Sequence, residues 1–306
     1  MAWVGMLLLT LIVSQVRAAP SEIFVVDGGS DIHARILDAA RSELEANGSD
    51  VVLRRVPGAT LSETLTESER PTLVVTLGTR AAQALEGPLP VPVLHAAISQ
   101  TLYEELIASD EPHSHPLGHS ALFLDQPAVR QIGALKAALP QLQRIGLLAS
   151  IGRETLIEPL ARAASDAGIE AVDAIVPEDG LLIPRVEQLL RYADALLITP
   201  DPVLYNRYTL QKVLLAAYRQ RKPVIGLSGA YVKAGALFAV HSNPAAIGKG
   251  LGIRIARFVA SDRLDPPGYP EHYAIAVNRH VARSLGLNLP SEKALLEALR
   301  ERETRP

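Results

Sequence analysis

The residues with most chemistry to offer sit where short apolar runs give way to helix-period segments. They read Asp27-Gly28-Gly29-Ser30, Leu77-Gly78-Thr79, Ala96-Ala97-Ile98-Ser99, Ala149-Ser150-Ile151-Gly152, Pro200-Asp201-Pro202 and Ser228-Gly229-Ala230-Tyr231. Small and hydroxylated residues just ahead of a helix leave backbone N–H groups uncovered, and a helix N-terminus favours an anionic ligand group. The hydroxyls of Thr79, Ser99, Ser150 and Ser228 would add donors. Asp201 would accept hydrogen bonds from a ligand ammonium. Tyr205 follows four residues later, one helical turn, and would face the same opening. Tyr231 would wall it from the opposing loop, and two aromatic rings suit an apolar or aromatic ligand body. The same residue types also serve as N-caps, turns and core tyrosines, so every position keeps a purely structural reading beside the ligand one.

Motifs for turnover are missing. Gly226-Leu227-Ser228-Gly229 lacks the Gly-x-Ser-x-Gly spacing of a nucleophile elbow. Asp27-Gly28-Gly29-Ser30-Asp31 lacks the third glycine of a dinucleotide fingerprint, and no Gly-Lys-Ser/Thr phosphate loop exists. Gly248-Lys249-Gly250-Leu251-Gly252 lies inside a helix period and reads as close helix packing. The protein is therefore expected to bind rather than to catalyse, without a cofactor. His113, His115 and His119 stand close together, and clustered histidines can hold zinc or copper. Their only nearby acids are Asp110 and Glu111 and the chain has no cysteine, so a solvated loop is expected and a metal-binding protein is the alternative.

The elements that must position these residues alternate in type. Strands are predicted over Ile23–Val26, Val51–Val56, Thr72–Thr76, Val91–His95, Ala121–Leu124, Arg144–Leu148, Glu170–Ile175, Ala195–Thr199, Pro223–Leu227, Ala236–Val240 and Tyr273–Val277. Most are apolar on both faces, which belongs to parallel sheets covered by helices. Between them, Val129, Ile132, Leu135 and Leu139 make one helical stripe, and Ile247, Leu251, Ile255, Phe258 and Val259 another. Leu204–Arg221 reads as a long helix stopped by Pro223, and Asn243-Pro244 as a helix start. The class is α/β. With 306 residues, of which 48% are hydrophobic, two sheets of about five strands are more plausible than one of eleven. The loop from His113 to Ser120 interrupts the repeat, which disfavours a single barrel and divides the chain near Leu124–Pro127. Net charge is −3 with scattered basic residues, so no nucleic-acid surface is expected.

Trp3–Val16 is an apolar run too short to span a membrane comfortably, followed by Val16-Arg17-Ala18-Ala19-Pro20. This reads as a Sec-type signal peptide over residues 1–19, although no Lys or Arg precedes the run; an uncleaved anchor is the alternative. An exported protein without cysteine suits a bacterial periplasm.

Several segments in order resemble one family: Val74–Leu85, Leu139–Leu148, Ala193–Asp201, Lys222–Val240, Ile247–Gly252 and Tyr273–Pro290. The chain is similar to the periplasmic substrate-binding proteins of ABC transporters, in the branch that includes tryptophan- and tyrosine-type binders. The resemblance implies two Rossmann-like lobes with parallel sheets joined by a hinge, the type I periplasmic-binding arrangement. It implies an N-terminal lobe of residues 20–124 plus about 243–270, and a C-terminal lobe of 125–242 plus about 271–306. By position, Gly78 and Thr79 would bind from the first lobe, and Ser150, Asp201, Ser228 and Gly229 from the second. The implied function is a monomeric solute-binding component of an importer, with a small-molecule ligand and an inner-membrane permease as partners; a sensory protein of the same fold is the alternative. Ser99-Gln100 replaces an Asp-Pro pair usual in the family. Arg153 stands near the turn after the first strand of the second lobe, where it would favour a ligand with an extra anionic group.

Overall fold

The computed structural model describes residues 21–57, 61, 65, 71–85, 89–109, 118–177 and 179–303. The expected signal peptide, His113 and His115 lie outside them. The first half runs β1 (Ser21–Asp27), α1 (Asp31–Ala46), β2 (Val51–Arg55), β3 (Leu73–Leu77), α2 (Thr79–Gln83), β4 (Val93–Ile98), α3 (Gln100–Ser109) and β5 (His119–Phe123). Its five strands form one parallel sheet in the order β2-β1-β3-β4-β5. The chain continues through α4 (Ala128–Ala138), β6 (Arg144–Ser150), α5 (Glu158–Asp166), β7 (Glu170–Val176), α6 (Leu182–Leu189), β8 (Ala195–Leu197), α7 (Leu210–Arg219), β9 (Val224–Gly226), α8 (Gly229–Ala234) and β10 (Phe238–His241). It ends with α9 (Pro244–Ser261), β11 (Ala274–Val277), α10 (Arg279–Ser284) and α11 (Glu292–Glu303). The second sheet has six strands in the order β11-β10-β9-β8-β6-β7.

Every predicted strand is present, its ends displaced by a few residues. The doubly apolar runs are the cause: all five residues of β3 are buried, as a strand covered on both faces requires. One strand departs from the parallel pattern. β11 pairs antiparallel with β10, Phe238 opposite Val277. It enters from an irregular segment rather than a crossover helix, so nothing forces it parallel.

Helix α9 follows five of the six strands of the second sheet in sequence but packs on α1 of the first. Ile247, Leu251, Ile255 and Phe258 share one core with Ile36, Leu37 and Ala40. The glycines make the approach possible: a Cβ on Gly248 would lie 2.2 Å from the Ile36 carbonyl oxygen, and one on Gly252 2.8 Å from that of Ala40. Asn243 caps α9 through Oδ1, accepting from Ala246 N at 2.8 Å. Two residues placed in the buried stripes face outward instead: Val129 is 67% exposed and Val259 37%.

The chain thus passes between the sheets three times, at residues 124–127, 242–243 and 262–273. Side chains tie the passages together. Gln126 Nε2 donates to Ser242 Oγ at 3.1 Å, and Ser242 Oγ donates to the His272 carbonyl at 2.7 Å. Arg130 reaches Gln126 Oε1 at 2.8 Å and the Pro270 carbonyl at 3.0 Å. Its guanidinium lies over Tyr273, 4.0 Å from the ring centre, and its Nε meets Glu303 at 2.5 Å.

The long helix expected from Leu204 begins only at Leu210. Asn206 takes Tyr208 N on Oδ1 at 2.9 Å, and Thr209 Oγ1 takes Asn206 N at 3.0 Å while donating to the Leu204 carbonyl. These local side-chain bonds offer the backbone a turn in place of a helix.

Candidate ligand cleft

The carboxyl ends of the two sheets face each other across three adjoining cavities of about 390, 270 and 110 Å³. Open α/β sheets bind ligands at this end. The largest is lined by Thr79, Gln83 and Glu105 from the first sheet's side and by Arg153, Asp201 and Tyr205 from the second. Ser99, Leu124, Pro200, Leu227 and Tyr231 are shared with the middle cavity, which adds Asp125, Gln126, Ser228, Val240 and His241. The smallest continues from Asp125, Gln126 and Pro200 towards Glu104 and Tyr269.

Seven residues singled out in the sequence thus reach a cavity wall: Thr79, Ser99, Arg153, Asp201, Tyr205, Ser228 and Tyr231. Gly78, Ser150 and Gly229 sit one layer behind. Gly78 turns the chain from β3 into α2 at φ +85°, and a Cβ there would lie 2.9 Å from His33 Nε2. Gly229 backs onto His241.

Asp201 is almost wholly buried. Its Oδ2 accepts from Ser150 N and Ser150 Oγ, each at 2.7 Å, and its Oδ1 from Val203 N at 2.9 Å. The carboxylate therefore ties the end of β6 to the loop after β8, and its hydrogen-bonding capacity is largely spent within the protein. Ser99 Oγ accepts from Leu102 N at 3.1 Å, the bond of an N-cap on α3. Arg153 reaches across the cleft to Glu105 on α3, Nη1 to Oε1 at 3.8 Å. The Tyr205 ring is buried. Burial first, and the Asp201 charge second, raise the pKa of its hydroxyl strongly. Among the described residues that hydroxyl makes no hydrogen bond of good geometry, although the Thr199 hydroxyl beside it weakly opposes the rise. Tyr231 hydroxyl donates to the Tyr205 carbonyl at 3.3 Å.

Five titratable residues of the walls escaped the sequence reading: Glu104, Glu105, Tyr269, Asp125 and His241, the last two at strand ends. Asp125 begins the first passage between sheets. Burial pushes its carboxyl up to about 6 despite the backbone N–H groups it accepts from, and Glu104 adds to the rise. Its oxygens lie 3.2 and 3.3 Å from Gln100 N. His241 ends β10, and burial lowers its pKa. Each directly follows or closes a predicted strand, Asp125 in Leu124-Asp125-Gln126-Pro127 and His241 in His241-Ser242-Asn243-Pro244; that position was the available signal. His119 stands at the head of β5, its ring stacked on His95 with centroids 5.3 Å apart and Nδ1 3.0 Å from His95 Nε2. Among the described residues no three histidines, aspartates or glutamates gather as a metal-binding group. No described helix is long and apolar enough to cross a membrane.

A cleft between two sheets, apolar with a few polar groups, is a binding site in form. Comparison with known proteins agrees. No curated protein sequence matches the chain. Among solved structures, an ABC domain in complex with L-Trp from Streptococcus pneumonia aligns at TM-score 0.60 and 22% identity, covering 90% of this chain and 98% of that one. A ligand-free, open substrate binding protein with adhesive properties from Clostridium difficile aligns at TM-score 0.71 and 18% identity, covering 90% and 97%. A conserved domain protein from Vibrio cholerae aligns at TM-score 0.59 and 19% identity, covering 91% and 98%. These likenesses establish the type I periplasmic-binding fold. The profile of a family of binding proteins, not of enzymes, matches residues 59–296. The chain belongs to the family described as ABC transporter substrate binding protein.

Proposed function

We propose that this protein is the periplasmic solute-binding component of an ABC importer, a monomer that captures an amino acid or a close relative and presents it to an inner-membrane permease. The observation that carries the reading is the cleft at the carboxyl ends of both sheets, with walls drawn from both sides of the three passages. The passages at 124–127, 242–243 and 262–273 would act as a hinge between the N-terminal lobe and the C-terminal lobe, and ligand would favour the closed arrangement by touching both. The L-Trp carried by the Streptococcus protein is consistent with an amino-acid ligand. Isothermal titration against amino acids, paired with small-angle scattering, tests this. Binding should shrink the radius of gyration; binding without compaction would refute hinge closure. At about 100 times its dissociation constant, ligand should add about 2.7 kcal/mol of stability.

A further inference from the structure

We infer that Asp125 receives a cationic group of the ligand, so that the cleft selects small amines with an apolar body, amino acids among them; the inference rests on the cleft being the ligand site. Asp125 stands where the cavities of about 270 and 110 Å³ meet. Among the described residues its only hydrogen-bond donor beyond its own backbone is Gln100 N, at long range, and it has no ion-pair partner. Asp125 is half-buried at the cavity wall, so it is open to a ligand while losing much of its hydration; a carboxylate so placed without a counter-charge is costly to ionise, and functional sites are where such groups are found.

The other acids of the walls are engaged. Asp201 is held by Ser150 and Val203, Glu105 by Arg153, and Glu104 by Gln100 Nε2 at 2.6 Å. The surroundings of Asp125 supply no cation in their place. Glu104 faces it from α3 and Tyr269 from the third passage, both without positive charge. His241 lies across the middle cavity, and burial disfavours its cationic form. Arg130 on α4 is committed to Gln126, Pro270 and Glu303. Four carboxylates against one guanidinium line the three cavities, so a ligand with surplus negative charge meets repulsion. Beside uncharged polar groups such as Ser99 and Ser228, the wall near Asp125 carries Leu124, Pro200, Leu227, Tyr231 and Val240, a surface for an apolar body.

The test is isothermal titration of the protein with L-leucine, L-tryptophan, their decarboxylated amines and their N-acetyl derivatives, with myo-inositol as a neutral control. At least one free-ammonium compound should bind at least about thirtyfold more tightly than its N-acetyl counterpart, and Asp125→Asn should remove that preference. Affinity of the unaltered protein should fall as pH drops through about 6, by up to roughly tenfold per unit; in Asp125→Asn it should be flat. Ser228→Trp, which fills the middle cavity, should abolish all binding. Equal binding of acetylated and free compounds, or amine binding indifferent to Asp125→Asn, overturns the cation assignment and leaves the cleft standing. Amine binding undiminished in Ser228→Trp overturns the cleft itself, and silence of the folded protein across the panel overturns both.

Discussion

Asp125 also sets a stability effect that needs no ligand. Burial pushes its carboxyl up to about 6, against 3.8 for an ordinary aspartate. Between those values the native state holds a proton that the unfolded chain has released. The protein therefore loses stability as pH climbs from about 4 to about 6 and stays at the lower level above. A shift of about two units corresponds to about 3 kcal/mol at neutral pH. Asp125→Asn removes the charge but keeps an acceptor for Gln100 N. The new amide pays part of the gain back in its own desolvation. We expect the variant to be more stable than the parent by about 1–2 kcal/mol at pH 8, with Tm raised by about 2–4 °C for each kcal/mol. The advantage should shrink steadily as pH falls below about 6 and disappear only below about pH 3, where the unfolded and native states of the parent are both protonated. Urea unfolding at pH 4.5, 6 and 8 measures it. A variant equal to or weaker than the parent at pH 8, or a difference that does not change with pH, would falsify the view of Asp125 as a desolvated charge.

Other perturbations follow from the same structure. Asp201→Ala strands Ser150 N and Val203 N in a buried site and should cost about 2–4 kcal/mol in urea unfolding; a loss of ligand affinity with no loss of stability would show that the carboxylate serves the ligand instead. Tyr205→Phe deletes a buried hydroxyl that makes no hydrogen bond of good geometry and should leave stability unchanged or raised by up to about 1 kcal/mol, read as Tm. Gly248→Ala drives a methyl against the Ile36 carbonyl and should cost about 1–3 kcal/mol or more, read by chemical denaturation. The Arg153–Glu105 pair is part-exposed, so a double-mutant cycle should give a coupling of about 0–1 kcal/mol that fades with salt.

Much of the architecture was legible because burial writes itself into β-branched runs. Thr72–Thr76 and Ala195–Thr199 announced covered strands, and the glycines of α9 announced a close helix contact. Two things were less visible. The turn at Asn206–Thr209 was hidden because the apolar residues Leu204, Leu210, Val213 and Leu214 keep a helical rhythm through it, while the side-chain bonds that break the helix are local. The charge at Asp125 was hidden because its environment is assembled from Gln100, Glu104, Tyr269 and His241, residues distant in sequence. The strand-end logic that picks out Asp201 applies equally to Asp125, but Leu124–Pro127 reads as the boundary between two lobes rather than as part of a wall. At Asp201 the residue type was compatible with both a cap and a ligand group, and only the bonds to Ser150 and Val203 reveal how much of the carboxylate is already used.

The placement of α9 has a consequence for the order in which the molecule can be made. The first sheet is complete in sequence at Phe123, yet the apolar face of α1 stays uncovered until residues 244–261 arrive, after nearly all of the second sheet. A chain of which only the part as far as β5 has reached the compartment where it folds cannot close its first core. Contacts this distant in sequence also slow folding. A fragment ending at Phe123, or even at residue 242, would leave the side of Ile36, Leu37 and Ala40 that faces α9 uncovered, so the first sheet cannot complete its core without the segment 244–261.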